Sequence, residues 1–408
     1  MTEVKNTELA GLSFHSTSTY VLLEEIGRGG RGIIFLAEKN NEGVKDKVVL
    51  KTIKTLSKEH EERLKHEANI ATGLRHENIV KTYGLESIPL SLVPESFRKE
   101  IDAPISRRLA GPMGHFRLFG GQVSPLGRVM GPKYYQQRLL SASKLKHKID
   151  GPKLFFIAMD YVPGADLHTL HCRHLQKKML FPCELAGFIV SRICRAMAYA
   201  HQFIIHRDIS PENILVNNHG VCKLSDFGVA AQTREEMELL AGKLGYMSPE
   251  QINQQAPILP GQEIDSRTDI FSLGLVAYEL LTGVVLYNQS LAKPFEEQRR
   301  FVIEQMQKEI IPPHRVRSDI PEGLSLIVMK MLAKDKNKRY LNMYDVGDVL
   351  EQRYLYAKGF GPTNNSLAAY LEIFDADFKK YNQEQLRQLN FLKGPDGKLN
   401  LCRQIKPR

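Results

Sequence analysis

The sequence has few cysteines and no long apolar run. Its five cysteines in 408 residues are an odd number, and no two of them form a CxxC pair. This argues against a zinc site or a disulfide framework and is typical of a reducing cytosol. No run of about 18 apolar residues is present, which excludes a membrane-spanning helix. The first twenty residues lack the apolar core of a signal peptide, so we expect a cytoplasmic protein.

The composition is that of a soluble globular protein. Hydrophobic residues make up 42% of the chain and charged residues 25%, which is enough to build a sizeable core. The length allows two to three domain-sized units. Disorder throughout and collagen-like repetition are therefore excluded.

The net charge of +10 is concentrated in one stretch. Residues 86–153 hold 12 Lys and Arg against 5 Asp and Glu, and they include 14 Gly and Pro. Such a basic and frequently broken segment is typical of an insertion between two strands. One interpretation is a solvated loop, and the other is a basic module that contributes weak binding to polyanions such as nucleic acid or a membrane surface.

The first part of the chain reads as strands followed by one helix. Residues 20–26, 33–38 and 48–53 are rich in β-branched and apolar residues with Gly-containing breaks between them. Residues 58–74 change to helical period, with Glu67 inside the apolar stripe. A carboxylate on an inward face needs a partner, because its burial is otherwise costly.

The later part is mostly helical. Residues 154–162 predict a buried strand, and residues 214–224 predict a hairpin with a four-residue turn. Residues 184–203 and 268–282 are apolar almost all round, so we expect two central helices. An amphipathic helix is predicted over 366–380.

Two motifs in the first part point to phosphate binding. The pattern Gly27-x-Gly29-x-x-Gly32 follows an apolar strand, and glycines let backbone N–H groups approach phosphate oxygens. A second strand follows it, whereas a dinucleotide-binding fold would need a helix there. Lys51 ends the next strand after three apolar residues. A pair between Lys51 and Glu67 would explain both unusual positions.

Three later motifs carry acidic, amide and hydroxyl groups. His206-Arg207-Asp208 with Asn213 lies in a loop flanked by apolar runs, where an acid and an amide five residues apart can sit side by side. Asp226-Phe227-Gly228 closes the hairpin, and a carboxylate there can bind Mg²⁺ between phosphates. The segment Tyr246–Glu250 ends in SPE, with Arg339 as a candidate partner for Glu250.

In this order the motifs resemble the signature set of the protein kinase family, and their style is similar to bacterial Ser/Thr kinases. The resemblance runs from about residue 20 to about residue 353. It implies an α+β, bilobal fold: a small lobe with an antiparallel sheet of five strands, and a larger helical lobe, with ATP between them. Residues 1–19 would then be an N-terminal extension and residues 354–408 a helical C-terminal extension.

The resemblance also implies roles for the matching positions. Asp208 would be the catalytic base, and Asn213 and Asp226 the Mg²⁺ ligands. Asp269 would brace the backbone of the catalytic loop, and His206 would pack under Phe227. The implied cofactors are ATP and Mg²⁺, and the implied substrates are proteins with Ser or Thr hydroxyls. The residues implied to bind ATP are Ile26, Gly27, Gly29, Gly32, Ile34, Val49, Lys51, Glu67, Met159, Asp160, Val162, Asp166 and Leu215.

Two departures from the family pattern form a pair. The catalytic-loop position that usually holds Lys is Ser210, and the position that usually holds Thr is Lys243. We hypothesise that the two groups are exchanged, so that Lys243 reaches Asp208 and the γ-phosphate. The alternative for Lys243 is a solvated side chain, and the alternative for the whole protein is a scaffold without catalytic activity.

Activation without phosphorylation is a further hypothesis. Between Gly228 and Glu250 the only Thr is Thr233, and the only Ser belongs to the SPE motif. Glu235, Glu236 and Glu238 could pair with Arg207 in place of a phosphate. The alternative is that these acids simply face water.

Overall fold

The structure is a computed structural model. It describes residues 11, 13–15, 18–29, 32–53, 58–89, 91, 153–227, 241–253, 264–288, 293–393 and 403–404. These residues form two compact units. The first takes the described residues up to Gly73 together with Lys81–Pro163, and the second takes Leu74–Val80 and the described residues from Gly164 onward.

The first unit is an antiparallel sheet with one helix. Its helix is α1 (Lys58–Gly73), and its sheet has the strand order β1-β2-β3-β4-β6-β5. The strands are β1 (Ser13–His15), β2 (Thr19–Gly29), β3 (Gly32–Asn41), β4 (Val44–Ile53), β5 (Thr82–Pro89) and β6 (Lys153–Asp160). The predicted strands and helix are confirmed, and β1 adds one strand to the five that the resemblance implied.

Sequence pattern explains where these strands lie. In β3, residues Ile33, Phe35 and Ala37 alternate onto one buried face, as expected for a strand with period two. In β6 every residue from Leu154 to Met159 is buried, because this strand lies between β4 and β5 inside the sheet. The continuous apolar run of β6 therefore reflects its central position.

The second unit is mainly helical. Its helices are α2 (Leu167–Gln176), α3 (Cys183–Ala200), α4 (Pro249–Ile252), α5 (Arg267–Thr282), α6 (Phe295–Gln307), α7 (Pro313–Val316), α8 (Glu322–Met331), α9 (Met343–Leu350), α10 (Asn364–Asp375) and α11 (Gln383–Gln388). Its strands are β7 (Gly164–Asp166), β8 (Met179–Leu180), β9 (Ile214–Asn217), β10 (Cys222–Leu224) and β11 (Arg403–Gln404). None of the helices in the described ranges combines the length and the apolarity needed to cross a membrane.

The centre of this unit is made by α3 and α5, as the sequence predicts. In α5 every residue from Thr268 to Thr282 is buried. The antiparallel pair β9–β10 forms the predicted hairpin, and β7 joins it on the other side of β9. This small sheet and the N-terminal end of α5 flank the loop that carries the HRD motif.

The predicted C-terminal helix is shorter than expected. α10 begins at a capping box between Thr363 and Ser366 and ends at Asp375. Asp377 and Phe378 have positive φ angles of 52° and 58°, which the right-handed helix does not allow. The helix buries Tyr370 and Phe374, and the Phe374 ring stacks on the α2 residue His174 with 3.9 Å between ring centroids.

Candidate active site

The backbone of the catalytic loop, residues 206–213, is held by a buried carboxylate. Asp269 is fully buried in the first turn of α5. Its Oδ2 accepts a hydrogen bond from the His206 N–H (2.8 Å), and its Oδ1 accepts one from the Arg207 N–H (2.7 Å). His201 lies 2.9 Å from Oδ2 through its Nε2. The predicted bracing role of Asp269 is confirmed.

Arg207 has a strained backbone conformation. Its φ angle is 60°, in a region that non-glycine residues seldom adopt. Besides the bond to Asp269, its carbonyl oxygen accepts a hydrogen bond from the Gln251 side chain at 2.8 Å. Such a conformation persists only where the surroundings over-determine it, which these two anchors do.

His206 is a structural residue, as predicted. Its ring packs edge-on against Phe227, with 4.7 Å between centroids. Nδ1 lies 3.2 Å from the Asp208 N–H, and Nε2 lies 2.9 Å from the Ser225 carbonyl oxygen. These partners match a neutral ring that accepts at Nδ1 and donates from Nε2–H. Complete burial lowers the pKa of His206, which favours the same neutral form.

Asp208 is the central acidic group of the loop. It is 6% exposed, and its carboxylate Oδ2 lies 3.1 Å from the Asn213 Nδ2. The same amide donates to the Asp208 carbonyl oxygen at 2.6 Å. A 3₁₀ turn, Pro211–Asn213, brings the two residues together, and the Asn213 N–H closes it on the Ser210 carbonyl. The predicted side-by-side placement of this acid and amide is confirmed.

Lys243 contacts both of these residues. It lies in the 3₁₀ turn Ala241–Tyr246, and its Nζ is 3.0 Å from Asp208 Oδ2 and 3.2 Å from Asn213 Oδ1. Its side chain is about one quarter exposed. The expected reach of Lys243 to Asp208 is therefore present in the structure. The Ser210 hydroxyl is buried and has no hydrogen-bond partner among the described residues.

Asn213 and Asp226 would be the residues that hold a magnesium ion. Ser225, the residue directly before Asp226, is hydrogen-bonded to Asn213. Its N–H and its hydroxyl both donate to the Asn213 carbonyl oxygen, at 2.9 and 3.1 Å. The donor chemistry fits, since an amide oxygen and a carboxylate are the oxygen ligands that Mg²⁺ prefers. Within the described ranges no group of three or more His, Cys, Asp or Glu could hold a metal by itself.

The SPE segment is anchored in the second unit. Glu250 forms two hydrogen bonds with the guanidinium of Arg339, at 2.6 and 2.8 Å, and that guanidinium is fully buried. The predicted pair is confirmed. Ser248 caps α4, because its hydroxyl accepts a hydrogen bond from the Gln251 N–H. The Gln251 Oε1 in turn accepts a hydrogen bond from the Ser248 N–H. This capping box positions the Gln251 amide that holds Arg207.

The glycine-rich strands belong to the first unit. Gly27 pairs with Ile34, and Gly29 pairs with Gly32. Gly32 has a φ angle of 149°, and a Cβ built there would lie 2.2 Å from the Thr52 carbonyl oxygen. The Thr52 hydroxyl accepts a hydrogen bond from the Ile33 N–H at 2.6 Å. Glycine at position 32 is thus required by a close backbone approach.

Two of the apolar positions implied to bind ATP lie on neighbouring strands. Val49 and Met159 are paired in register across β4 and β6, and both are buried. Lys51, two residues after Val49, is only 7% exposed. Ile26 is buried near the end of β2. The pair between Lys51 and Glu67 stays a prediction.

The remaining predicted nucleotide residues follow β6. Asp160 ends that strand, and its carboxylate accepts a hydrogen bond from the Tyr83 hydroxyl at 2.5 Å. Val162 is buried. In the second unit, Leu215 lies on β9, where it pairs with Asp166. Asp166 is 1% exposed and caps α2 through bonds from the Thr169 N–H and hydroxyl, so its implied contact with ATP stays a prediction.

Three residues of the site were not predicted from sequence. His201, Ser225 and Gln251 each bond to the catalytic loop or to the residue that braces it. His201 precedes the HRD motif by only five residues, but no pattern marks it as a partner of Asp269. The basic stretch 92–152, Thr233 and the acidic residues 235, 236 and 238 lie outside the described residues, so the hypotheses that concern them stay predictions.

Comparison with known proteins decides the family. A family model described as protein kinase domain matches residues 141–355, which is more than half of the chain. The chain belongs to the protein kinase family. A second model, described as protein tyrosine and serine/threonine kinase, matches residues 20–99 of this kinase chain.

Curated relatives include kinases of both named specificities. A protein of Clostridium perfringens, named as a probable serine/threonine-protein kinase, is 34% identical over 202 residues, which is 48% of this chain and 27% of the relative. The tyrosine-protein kinase MasK of Myxococcus xanthus is 32% identical over 212 residues, or 48% of this chain and 30% of MasK. The matched region thus spans less than a third of either relative.

A solved structure has the same fold. The kinase domain of PknI from Mycobacterium tuberculosis, in a mutant form, superimposes with a TM-score of 0.52 at 19% identity, covering 84% of this chain and 98% of that kinase-domain chain. At this identity the likeness concerns the fold alone. The α+β fold is the bilobal fold of the protein kinases, as predicted.

Proposed function

We propose that this kinase transfers the γ-phosphoryl group of Mg-ATP to Ser or Thr hydroxyls of protein substrates. The observation that carries this proposal is the buried Asp208 carboxylate, oriented by hydrogen bonds from Asn213 and Lys243. A fixed carboxylate suits the task of accepting a proton from the attacking hydroxyl. Phosphoryl transfer otherwise asks for positioning and charge stabilisation, which a braced loop supplies.

We assign the remaining roles from the matching positions. Lys51 and the glycines of the β2–β3 strands would bind the phosphates. Asn213 and Asp226 would hold Mg²⁺, which supplies positive charge against the phosphate oxygens. Because every one of these groups is present, a catalytic role is favoured over a scaffold without activity.

Lys243 has a role of its own in this proposal. Its ammonium group lies within hydrogen-bond distance of both Asp208 and Asn213, where the family places a lysine of the catalytic loop. In this chain that loop position is Ser210, whose buried hydroxyl has no hydrogen-bond partner among the described residues. Lys243 would therefore supply the charge that Ser210 cannot, and it would stabilise the phosphoryl group as negative charge develops.

Tyrosine is the second candidate acceptor. The relative MasK is named as a tyrosine-protein kinase, and its identity to this chain is close to that of the relative named for Ser and Thr. The Ser–Pro catalytic loop of this chain departs from the tyrosine-kinase pattern, which is why Ser and Thr are favoured.

The test is incubation of the purified full chain with Mg-ATP and a mixed pool of Ser, Thr and Tyr peptides. Mass spectrometry of the protein and of the pool then identifies the phosphorylated hydroxyl. We expect phosphate on Ser or Thr, far less of it with Asp208→Asn, and none without Mg²⁺. Phosphate found on Tyr alone would show that the acceptor is tyrosine and not Ser or Thr. Nucleotide binding with no phosphate on any acceptor would favour the scaffold.

A further inference from the structure

A cysteine, a histidine and a glutamate meet beside the catalytic loop. Cys172 and His168 lie four residues apart on α2, which places them on the same face of the helix. The Cys172 Sγ is 3.5 Å from the His168 Nε2. The His168 Nδ1 in turn is 3.8 Å from the Glu212 Oε1, in the turn that also holds Asn213. The sulfur, the imidazole ring and the carboxylate thus lie in sequence, and the contact between ring and carboxylate is an ion pair longer than a hydrogen bond.

The charges in this cluster support a protonated histidine. The pKa of His168 is raised to about 9, mainly by the hydrogen bond to Cys172 and also by the carboxylates of Glu212 and Asp166, against the opposing effect of burial. The ring therefore carries its proton at neutral pH. A cationic imidazole ring within hydrogen-bond distance of a cysteine sulfur is the kind of neighbour found beside reactive cysteines.

The other cysteines of the described residues offer a contrast. Cys183, Cys194 and Cys222 are buried, and Cys172 is partly exposed. Burial raises the pKa of Cys222 to about 12 and raises that of Cys194 well above its usual range. Buried thiols of this kind are inert, because the thiolate is the reactive form. All four cysteines are free thiols in the structure.

We propose that Cys172 is a redox-modification site that reacts with hydroperoxides. The thiolate sulfur attacks one peroxide oxygen, so that an S–O bond forms as the O–O bond breaks. Sulfur gives up two electrons and becomes a sulfenic acid, and the peroxide is reduced. The departing hydroxide takes the proton from His168 and leaves as water. Glu212 acts as a positioning residue, because it contacts the ring and not the sulfur.

The assignment follows from the order of the three groups. A cysteine sulfur beside an imidazole ring, with a carboxylate on the far side of that ring, is similar to the general arrangement of an activated nucleophile. The partial exposure of Cys172 gives a small oxidant access to it. The catalytic assignments above use neither Cys172 nor His168, so this inference is independent of the proposed function.

The experiment measures the reactivity of each cysteine in the folded full chain. Protein at pH 7 is treated with hydrogen peroxide and dimedone, or with iodoacetamide, and labelling is followed by mass spectrometry at each cysteine separately. We expect Cys172 to react about tenfold faster than the thiol of an unstructured peptide, because the imidazole ring of His168 lies within hydrogen-bond distance of its sulfur. Cys172→Ser should lose this label alone.

A matched pair of histidine variants tests the mechanism. His168→Gln should slow labelling of Cys172 about tenfold, to the rate of the peptide thiol. His219→Gln, at an exposed position in the β9–β10 turn, should leave the rate unchanged. The melting temperature of each variant checks that it is folded.

Two results would overturn the proposal. One is a Cys172 in the wild-type protein that reacts no faster than the peptide thiol, which needs no variant to be folded. The other is an unchanged rate in folded His168→Gln. Both readouts are independent of kinase activity, so a failure here is distinguishable from a failure of the proposed function.

Discussion

The catalytic loop and the glycine-rich strands keep their shapes in different ways. The loop is held by side chains from distant parts of the second unit, since Asp269 and Gln251 bond its backbone and Lys243 bonds its acid. The strands around Gly32 are held by ladder pairing within the first unit, with one side-chain bond from Thr52. A substitution at one of the loop's anchors should therefore disturb the whole catalytic loop, whereas a substitution in the glycine-rich strands should disturb only the neighbouring residues.

The largest expected effect is on the chemistry of the loop. Asp208→Asn keeps the size of the side chain but removes the group that would accept the proton. Turnover should fall by roughly 10²- to 10⁴-fold, the range for a lost general base. Titration calorimetry should show ATP binding retained, because the proposed nucleotide residues are unchanged. Near-normal turnover would mean that another group is the base.

The second effect tests the anchoring of the loop. Asp269→Ala leaves two buried backbone N–H groups and His201 without their acceptor, and each lost acceptor costs about 1–3 kcal/mol. We expect the free energy of unfolding to fall by about 3–5 kcal/mol, measured by urea denaturation.

A matched control uses an exposed aspartate. Asp348→Ala, on the exposed side of α9, should stay within about 0.5 kcal/mol of the wild type. If Asp269→Ala and Asp348→Ala lower the free energy of unfolding equally, the buried carboxylate of Asp269 does not anchor the loop as described.

The third effect tests the glycine-rich strands. Gly32→Ala places a methyl group against the Thr52 carbonyl in addition to straining the backbone, so we expect a loss of about 1–3 kcal/mol. Gly43→Ala, in the β3–β4 turn, has a positive φ but open space around its Cβ. It should cost about 1–2 kcal/mol from strain alone. Denaturation curves that rank the two variants in the reverse order would refute the close approach at Gly32.

The smallest effect is the response of the loop to acid. Burial lowers the pKa of His206, so the unfolded chain binds this proton before the folded chain does. Its contribution to stability is complete above about pH 6.5 and is lost as the pH falls below that value. NMR titration of the ring should show a midpoint below the ordinary histidine range. A midpoint above it would contradict the neutral ring that joins Asp208 to Ser225.

Sequence patterns predicted the parts of the site whose chemistry is local. Asp208 and Asn213 are close together because only four loop residues separate them, and the hairpin that follows ends two residues before Asp226. The pair Glu250–Arg339 was predicted from the SPE segment, and the contact of Asp269 with the loop backbone was predicted through the family resemblance. The contact of Lys243 with Asp208 was predicted because Ser210 stands where the family usually has a lysine, so that Lys243 was the candidate to supply the missing positive charge.

Other features depend on tertiary structure and carry no local signal. The Gln251 amide contacts Arg207 because a capping box orients α4, and the sequence of α4 alone does not show where its side chains point. Strand β1 is only three residues long, and it is held by its antiparallel pairing with β2. The end of α10 is set by left-handed residues at 377 and 378 that helical periodicity does not reveal.

The contact between Lys243 and Asp208 is the feature that most distinguishes this loop, so replacing Lys243 tests the account most directly. The measurement is turnover of Lys243→Ala at saturating Mg-ATP and substrate, beside Ser210→Lys and the double variant Ser210→Lys with Lys243→Thr. We predict a fall of roughly 10²- to 10³-fold for Lys243→Ala with little change in ATP affinity. The double variant should be more active than the sum of its single changes predicts. Near-normal turnover of Lys243→Ala would contradict the account.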